Sequence, residues 1–289
     1  MVLEAQTCAE INLDRYLAQA GDVILPRELS VSAPPLAISE HRKLRVGVDL
    51  GTAYLVLVVL DEDGAPLAGE WQFAQVVRDG LVVDYIGATD LLTGMKQRIE
   101  RRLGRELNHA ASGYPPGVPR AEIRATANVI EAAGMECTFL SEEPSAANQI
   151  LQLEDGVIVD VGGGTTGIAL IQNGQVIYTA DEPTGGTHFT LVIAGALNIS
   201  FEEAEKIKVT PAEHQRLFPV VRPVIEKVAS ITSRHIQNSR VGSITLIGGA
   251  STFMGMADVM QSYTGIPAFV PENPVFITPL GLAMMDEPA

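Results

Sequence analysis

Apolar and polar positions along the chain change period several times. From residue 44, runs of β-branched residues predict strands over 45–50 and 54–60 around Gly51, closed by an Asp61-Glu62-Asp63-Gly64 turn. Helical spacing then takes over. It predicts a highly charged helix over 88–107, a strand over 110–113 stopped by Tyr114-Pro115-Pro116-Gly117, and a helix over 120–133 ended by Gly134. A short strand (136–140) and a helix (145–153) follow, then strands at 157–161 and 168–171. Helical segments come after Gly185-Gly186, Thr210-Pro211 marks a break, and a long helix covers 220–239. The last predicted strand, 243–247, ends at Gly248-Gly249-Ala250. The order is mixed α/β.

The first 40 residues read differently. Thr7-Cys8-Ala9-Glu10 has capping-box form, and Leu13, Tyr16, Leu17 and Ala20 share one helical face before Gly21. A Pro- and Ser-containing stretch over 25–40 reads as a linker, so 1–40 is set apart as an arm. A lone short helix is marginal until its apolar face is covered. Two readings follow: the helix covers its own domain, or it is a docking peptide for a partner.

Composition narrows the function. The chain has 289 residues, 46% of them hydrophobic, and a formal net charge of -15. Such an acidic chain is a poor partner for nucleic acid or an anionic membrane, both of which need clustered Lys and Arg. Cys8 and Cys137 are too far apart for metal-ligand spacing and make no disulfide framework, which favours a reducing, cytoplasmic setting. No apolar run reaches the length of a membrane span, and the start lacks the features of a secretory signal. His41, His109, His188, His214 and His235 are scattered without ligand spacing, and no Gly-x-Ser-x-Gly elbow occurs. Cys137, in a predicted strand, reads as a small buried residue.

The unusual stretch is VIVDVGGGTTGIAL, residues 157–170, where Asp160, Gly162-Gly163-Gly164 and Thr165-Thr166 interrupt an apolar run. A plain glycine hairpin would explain it. So would an anion cradle, in which glycine backbone amides and threonine hydroxyls meet phosphate beside an aspartate that holds a hydrated cation. A second stretch, VGVDLGTAYLVLVV over 46–59, has the same order of strand, Asp, Gly, Thr and strand. Two matching hairpins, each opening an α/β stretch, predict a duplicated fold whose hairpins grip a polyphosphate, with Asp49 and Asp160 beside Mg2+.

These residues resemble the actin/Hsp70/sugar-kinase superfamily. Asp49-Leu50-Gly51-Thr52 looks like its first phosphate loop and Asp160 to Thr165 like its second. Leu246-Ile247-Gly248-Gly249-Ala250-Ser251 resembles the adenosine motif, and Glu142 to Ala147 the first connecting helix. Gly185-Gly186-Thr187-His188-Phe189 resembles the start of the helical insertion, and Glu203-Ala204-Glu205-Lys206 the Glu-x-x-Lys pair at adenosine. With Val76-Val77-Arg78-Asp79-Gly80 included, the chain resembles the actin-like, chaperone-type proteins of ethanolamine-utilisation operons.

The resemblance covers about 44–283 and implies two ribonuclease-H-like lobes with an interlobe nucleotide cleft. The lobes would be 41–146 (with 273–289 returning to it) and 147–272. It implies that Gly51, Thr52, Gly162, Gly163, Gly164 and Thr165 hold the phosphates of ATP or ADP, and that Asp49 and Asp160 position Mg2+ through water. Glu143 would sit near the cation and the attacking water, as a catalytic residue with Asp160. Gly185 and Gly186 would line the nucleotide, Glu203 and Lys206 clasp ribose and base, and Gly248, Gly249 and Ala250 pack against it.

Two departures reduce the charge near the phosphates. Gly167 stands where bacterial actin relatives usually carry an acid, and the first loop has no lysine, although Arg78 could supply positive charge. Nucleotide binding with slow turnover is therefore expected. The function implied is a chaperone or an assembly and reactivation factor for ethanolamine ammonia-lyase and its bacterial microcompartment. The alternatives are a filament-forming actin homologue, a nucleotide-binding scaffold without turnover, and a small-molecule kinase.

Overall fold

The computed structural model describes residues 2–39, 41–78, 81–237 and 239–287, with side chains from residue 13 onward. The expected capping box at Thr7 falls inside a helix that already starts at Val2, and its side chains, like the Asp79-Gly80 part of the Val76–Gly80 motif, lie outside what is described. The chain divides into two compact units, Met1–Gln152 with Phe276–Ala289, and Leu153–Val275.

The first unit begins with α1 (Val2–Val23), β1 (Ile24–Pro26) and the single turn α2 (Arg27–Ser30). Strands β2 (Leu44–Leu50), β3 (Tyr54–Asp61) and β4 (Pro66–Phe73) form an antiparallel meander, followed by the small ribbon β5 (Val77–Arg78) and β6 (Leu81–Val82). Then come α3 (Tyr85–Leu103), β7 (His109–Tyr114), α4 (Arg120–Ala132), β8 (Glu136–Glu142) and α5 (Glu143–Leu151). The sheet order is β1-β4-β3-β2-β7-β8, with β7 and β8 parallel to β2.

Both faces of this sheet are covered, which is why β3 reads as an unbroken apolar run. Leu55, Leu57 and Val59 join Leu92, Met95 and Ile99 of α3 and Ile130 of α4 in one core. Val56, Val58 and Leu60 are also buried, and a C-terminal helix over Ile277–Met284 packs against β2, β3, β7 and α5. That helix crosses α5 so closely that a Cβ on Gly281 would lie 1.8 Å from the Ala146 carbonyl oxygen. Beyond it, the buried Asp286 carboxylate accepts the Val46 amide (2.7 Å) and Thr138 Oγ1 (2.5 Å), and meets His109 Nδ1 at 2.6 Å.

The segment read as an arm belongs to this unit. Leu17, Ala20 and Ile24 are buried, and β1 adds to β4 as a parallel edge strand. Tyr16 donates to the Gly64 carbonyl (3.0 Å). The expected linker over 25–40 is largely docked, because Leu36 and Ile38 pack on the core and the Leu36 amide bonds the Arg102 carbonyl at 2.6 Å. Ser30 reaches Glu70 Oε2 at 2.5 Å, and Arg98 grips the same carboxylate through Nε and Nη2.

The second unit repeats the scheme. Strands β9 (Gly156–Val161), β10 (Thr166–Gln172) and β11 (Gln175–Glu182) form the meander. Helices α6 (Gly186–Leu197), α7 (Phe201–Lys208) and α8 (His214–Ile236) precede β12 (Ile244–Ile247), α9 (Met256–Thr264) and β13 (Ala268–Phe269). The order β11-β10-β9-β12-β13 matches β4-β3-β2-β7-β8 strand for strand. Its core joins Val157, Val159 and Leu246 of the sheet to Phe189, Val221, Ile225 and Met260 of the helices.

Candidate functional site

The two hairpins share a closing bond. The Gly51 amide donates to the Tyr54 carbonyl and the Gly162 amide to the Thr165 carbonyl, each at 3.0 Å. In both, the glycine after the aspartate-bearing strand folds the loop back on itself. Asp49, Gly51 and Thr52 are half-buried in the first unit. Glu143 opens α5 there, its Cγ 3.2 Å from where a Cβ on Gly113 would stand.

The second unit brings more of the named residues together. The Gly186 amide donates to the Gly162 carbonyl (2.9 Å) and the Thr187 amide to the Gly163 carbonyl (2.7 Å). The glycine loop is thus laced to the start of α6. No side chain fits between them: a Cβ on Gly185 would lie 2.8 Å from the Gly162 oxygen and 2.9 Å from the Thr165 nitrogen. Gly248 holds φ at 84° and approaches Asp160 so closely that an added Cβ would stand 2.2 Å from Oδ1. Such a backbone angle suits only glycine here. Asp160, Gly162 to Thr165, Gly185, Gly186 and the Gly248-Gly249-Ala250 turn therefore form one neighbourhood.

Glu203 and Lys206 stand apart from it. Both are exposed, and Glu203 is the third residue of α7, where it exchanges bonds with Ser200 in a capping box. Those bonds hold its carboxyl below the usual carboxylate range, the Ser200 amide contributing most. The pair that faces the loop is Glu205 and Lys208, at the same spacing two residues on. Lys208 Nζ lies 2.7 Å from Glu205 Oε2, 3.1 Å from Thr190 Oγ1 and 3.3 Å from the Gly186 carbonyl. It is also 3.3 Å from the Cβ position of Gly186, where Ala250 Cβ follows at 3.4 Å. Burial pushes the Lys208 ammonium below its ordinary pKa, and Glu205 opposes that shift. Glu205 Oε1 is buried with no hydrogen-bond partner among the described residues. A sequence signal for this choice existed. Ser200-x-x-Glu203 already spells a capping box, which commits Glu203 to the helix start.

Gly167 pairs with Asp160 on one side and Asp181 on the other. A Cβ there would lie 3.7 Å from Asp160 Cβ and 3.9 Å from Asp181 Oδ1, so Asp181 brings a carboxylate next to the Gly167 position. Arg78 lies on β5 of the first unit. Among the described residues no group of three His, Cys, Asp or Glu is gathered as for direct metal ligation, and no helix is long and apolar enough to cross a membrane.

Comparison with known proteins fits this architecture. The MreB/Mbl protein family model matches residues 68–215 and the cell division protein FtsA model residues 157–281. MreB 5 of Spiroplasma citri, solved bound to AMPPNP, has a TM-score of 0.70 at 17% identity over 86% of this chain and 96% of its own, a likeness of fold. Ethanolamine utilization protein EutJ of Escherichia coli K12 is 41% identical over 242 residues, 83% of this chain and 85% of its own length. The crystal structure of EutJ from Carboxydothermus hydrogenoformans is 44% identical and covers 95% of this chain and 98% of its own, with a TM-score of 0.88. The chain belongs to the EutJ family of ethanolamine-utilisation proteins and has the actin-like ATPase fold.

Proposed function

We propose that the protein binds ATP and ADP with Mg2+ and uses the bound nucleotide to switch its hold on a protein partner. The partner class is ethanolamine ammonia-lyase or the shell and cargo proteins of its microcompartment, for which the protein would act as chaperone or assembly and reactivation factor. The observation that carries the nucleotide reading is the Glu205 carboxylate. One oxygen is fixed by Lys208 and Thr190, and the other is buried and unsatisfied beside a glycine-built cradle. A buried unpaired acceptor is costly unless a ligand donor, here a ribose hydroxyl, completes it.

The remaining roles follow from placement. The Gly162 amide closes its own loop on Thr165, so the backbone amides of Gly163 and Gly164, with the Thr165 hydroxyl, would meet phosphate; in the first hairpin, where Gly51 closes on Tyr54 in the same way, Thr52 would do so. Asp160, with Asp181 across Gly167, would hold hydrated Mg2+; Asp49 has the equivalent place in the first hairpin. A bound cation would neutralise charge on the phosphates. Glu143, at the start of α5, would orient water. With Gly167 carrying no carboxylate and no lysine in the first loop, nucleotide binding with slow hydrolysis is the favoured combination.

Titration calorimetry with ATP and ADP, with and without Mg2+, tests the reading on the wild type and Asp160→Ala. Saturable, Mg2+-dependent binding weakened by the substitution supports it. No binding by the wild type would leave the fold as an inherited scaffold. Capture of ammonia-lyase or shell proteins that changes between ATP and ADP tests the partner. ATP-dependent sedimentation of the protein alone would favour the filament reading instead, which the distant MreB/Mbl and FtsA matches support.

A further inference from the structure

His214 opens α8 and is buried, yet no part of the nucleotide reading uses it. Its two ring nitrogens bind two different segments. The Met254 amide donates to Nδ1 at 3.3 Å, so that nitrogen carries a lone pair. Nε2 then carries the proton and donates to the Lys208 carbonyl at 2.8 Å. That carbonyl belongs to the last residue of α7, one of the helix-end acceptors with no partner inside the helix. The ring also stacks on Phe253, with centroids 4.3 Å apart, and Phe253 meets Phe189 of α6 edge-on at 5.8 Å.

We infer that His214 is a positioning residue that holds the Lys208 end of α7 in register with the turn after Gly248-Gly249-Ala250. The inference rests on the nucleotide reading of that neighbourhood. The lysine ammonium can meet Glu205 and Gly186 only if the backbone at Lys208 is fixed, and the histidine is the side chain that fixes it. The same ring holds Met254, so the helix end and the turn keep one spacing. A change at either segment reaches the other through a single imidazole.

The two bonds can be separated by substitution. Glutamine places its amide near the histidine Nε2 and can still cap Lys208. Asparagine places its amide near Nδ1 and can still accept from Met254. Phenylalanine keeps the stack and loses both bonds. ATP affinity by calorimetry and thermal midpoint are measured for H214Q, H214N and H214F. The expected result is a loss of about tenfold in ATP affinity for H214F and H214N, as for one or two hydrogen bonds, and near wild-type binding for H214Q. A merely structural role would instead lower the thermal midpoint of all three without this order. Wild-type affinity in all three variants, or H214Q as weak as H214N, overturns the inference. Should H214F fail to fold, the glutamine and asparagine pair decides. Wild-type protein that binds no ATP overturns the nucleotide reading itself, and this inference with it.

Discussion

Lys208 Nζ lies 2.7 Å from Glu205 Oε2, with both side chains nearly buried, at 11% and 12% exposure. Removing one member of such a pair leaves an uncompensated charge in a poorly solvated place. Lys208→Met should therefore cost about 3 kcal/mol in denaturant unfolding. It should also weaken ATP binding at least tenfold, on the order of a lost charge-assisted hydrogen bond. Adding Glu205→Leu should recover much of the stability and none of the binding. Recovery of both would show that the pair serves packing alone.

Gly185→Ala tests the cradle independently of charge. The new methyl would press on the backbone of Gly162 and Gly164, each 2.8 Å away, and backbone cannot rotate aside as a side chain can. The glycine loop should shift, and ATP binding should fall below detection in calorimetry, while unfolding costs about 1–3 kcal/mol, the usual range for overpacking. Retained binding would argue that the loop does not touch the ligand.

Arg98→Ala concerns the fold. Glu70 has no exposed surface and its carboxylate is held by Arg98 and Ser30. Truncation of the arginine strands that carboxylate, and equilibrium unfolding should register a loss of about 3–5 kcal/mol. Ser30→Ala, which removes one neutral donor, should cost about 1.5–3 kcal/mol, the value for a hydrogen bond to a charged group.

Tyr16 gives a pH signature. Burial, and then the Asp61 carboxylate, push its phenol from 10.0 up to about 12. A group that holds its proton more tightly when folded contributes stability that is complete below its unfolded pKa and is lost as pH rises through the folded one. Thermal midpoints should therefore decline between pH 10 and about 12. Tyr16→Phe should flatten that decline while losing about 1 kcal/mol at neutral pH with the bond to Gly64. An unchanged slope in the variant would place the titration elsewhere.

What could be read from the sequence divides by physical cause. The hairpins around Gly51 and Gly162 were legible because aspartate and glycine interrupt β-branched runs, and because the interruption occurs twice. β4 went unread: Pro66, Glu70 and Gln72 break its pattern, and only the Arg98 and Ser30 partners make a buried Glu70 tolerable. The docking of residues 13–39 depends on β4 offering an edge, a tertiary fact without local trace. At the site, the loops were found by their glycines. The Glu-x-x-Lys spacing occurs twice between Glu203 and Lys208; the capping box at Ser200 engages the first copy, and burial sets the second beside the glycine loop.

The helix over Ile277–Met284, which crosses α5 at Gly281, bears on synthesis as well as packing. A chain made from its N-terminus delivers every strand of the first sheet by Glu142, but the helix covering one face of that sheet comes only after Val275. The second unit, continuous in sequence, can complete itself as it emerges. The unit begun first thus depends for its completion on residues made after the whole of the second, and the β3 face that carries Val56, Val58 and Leu60 depends on them too.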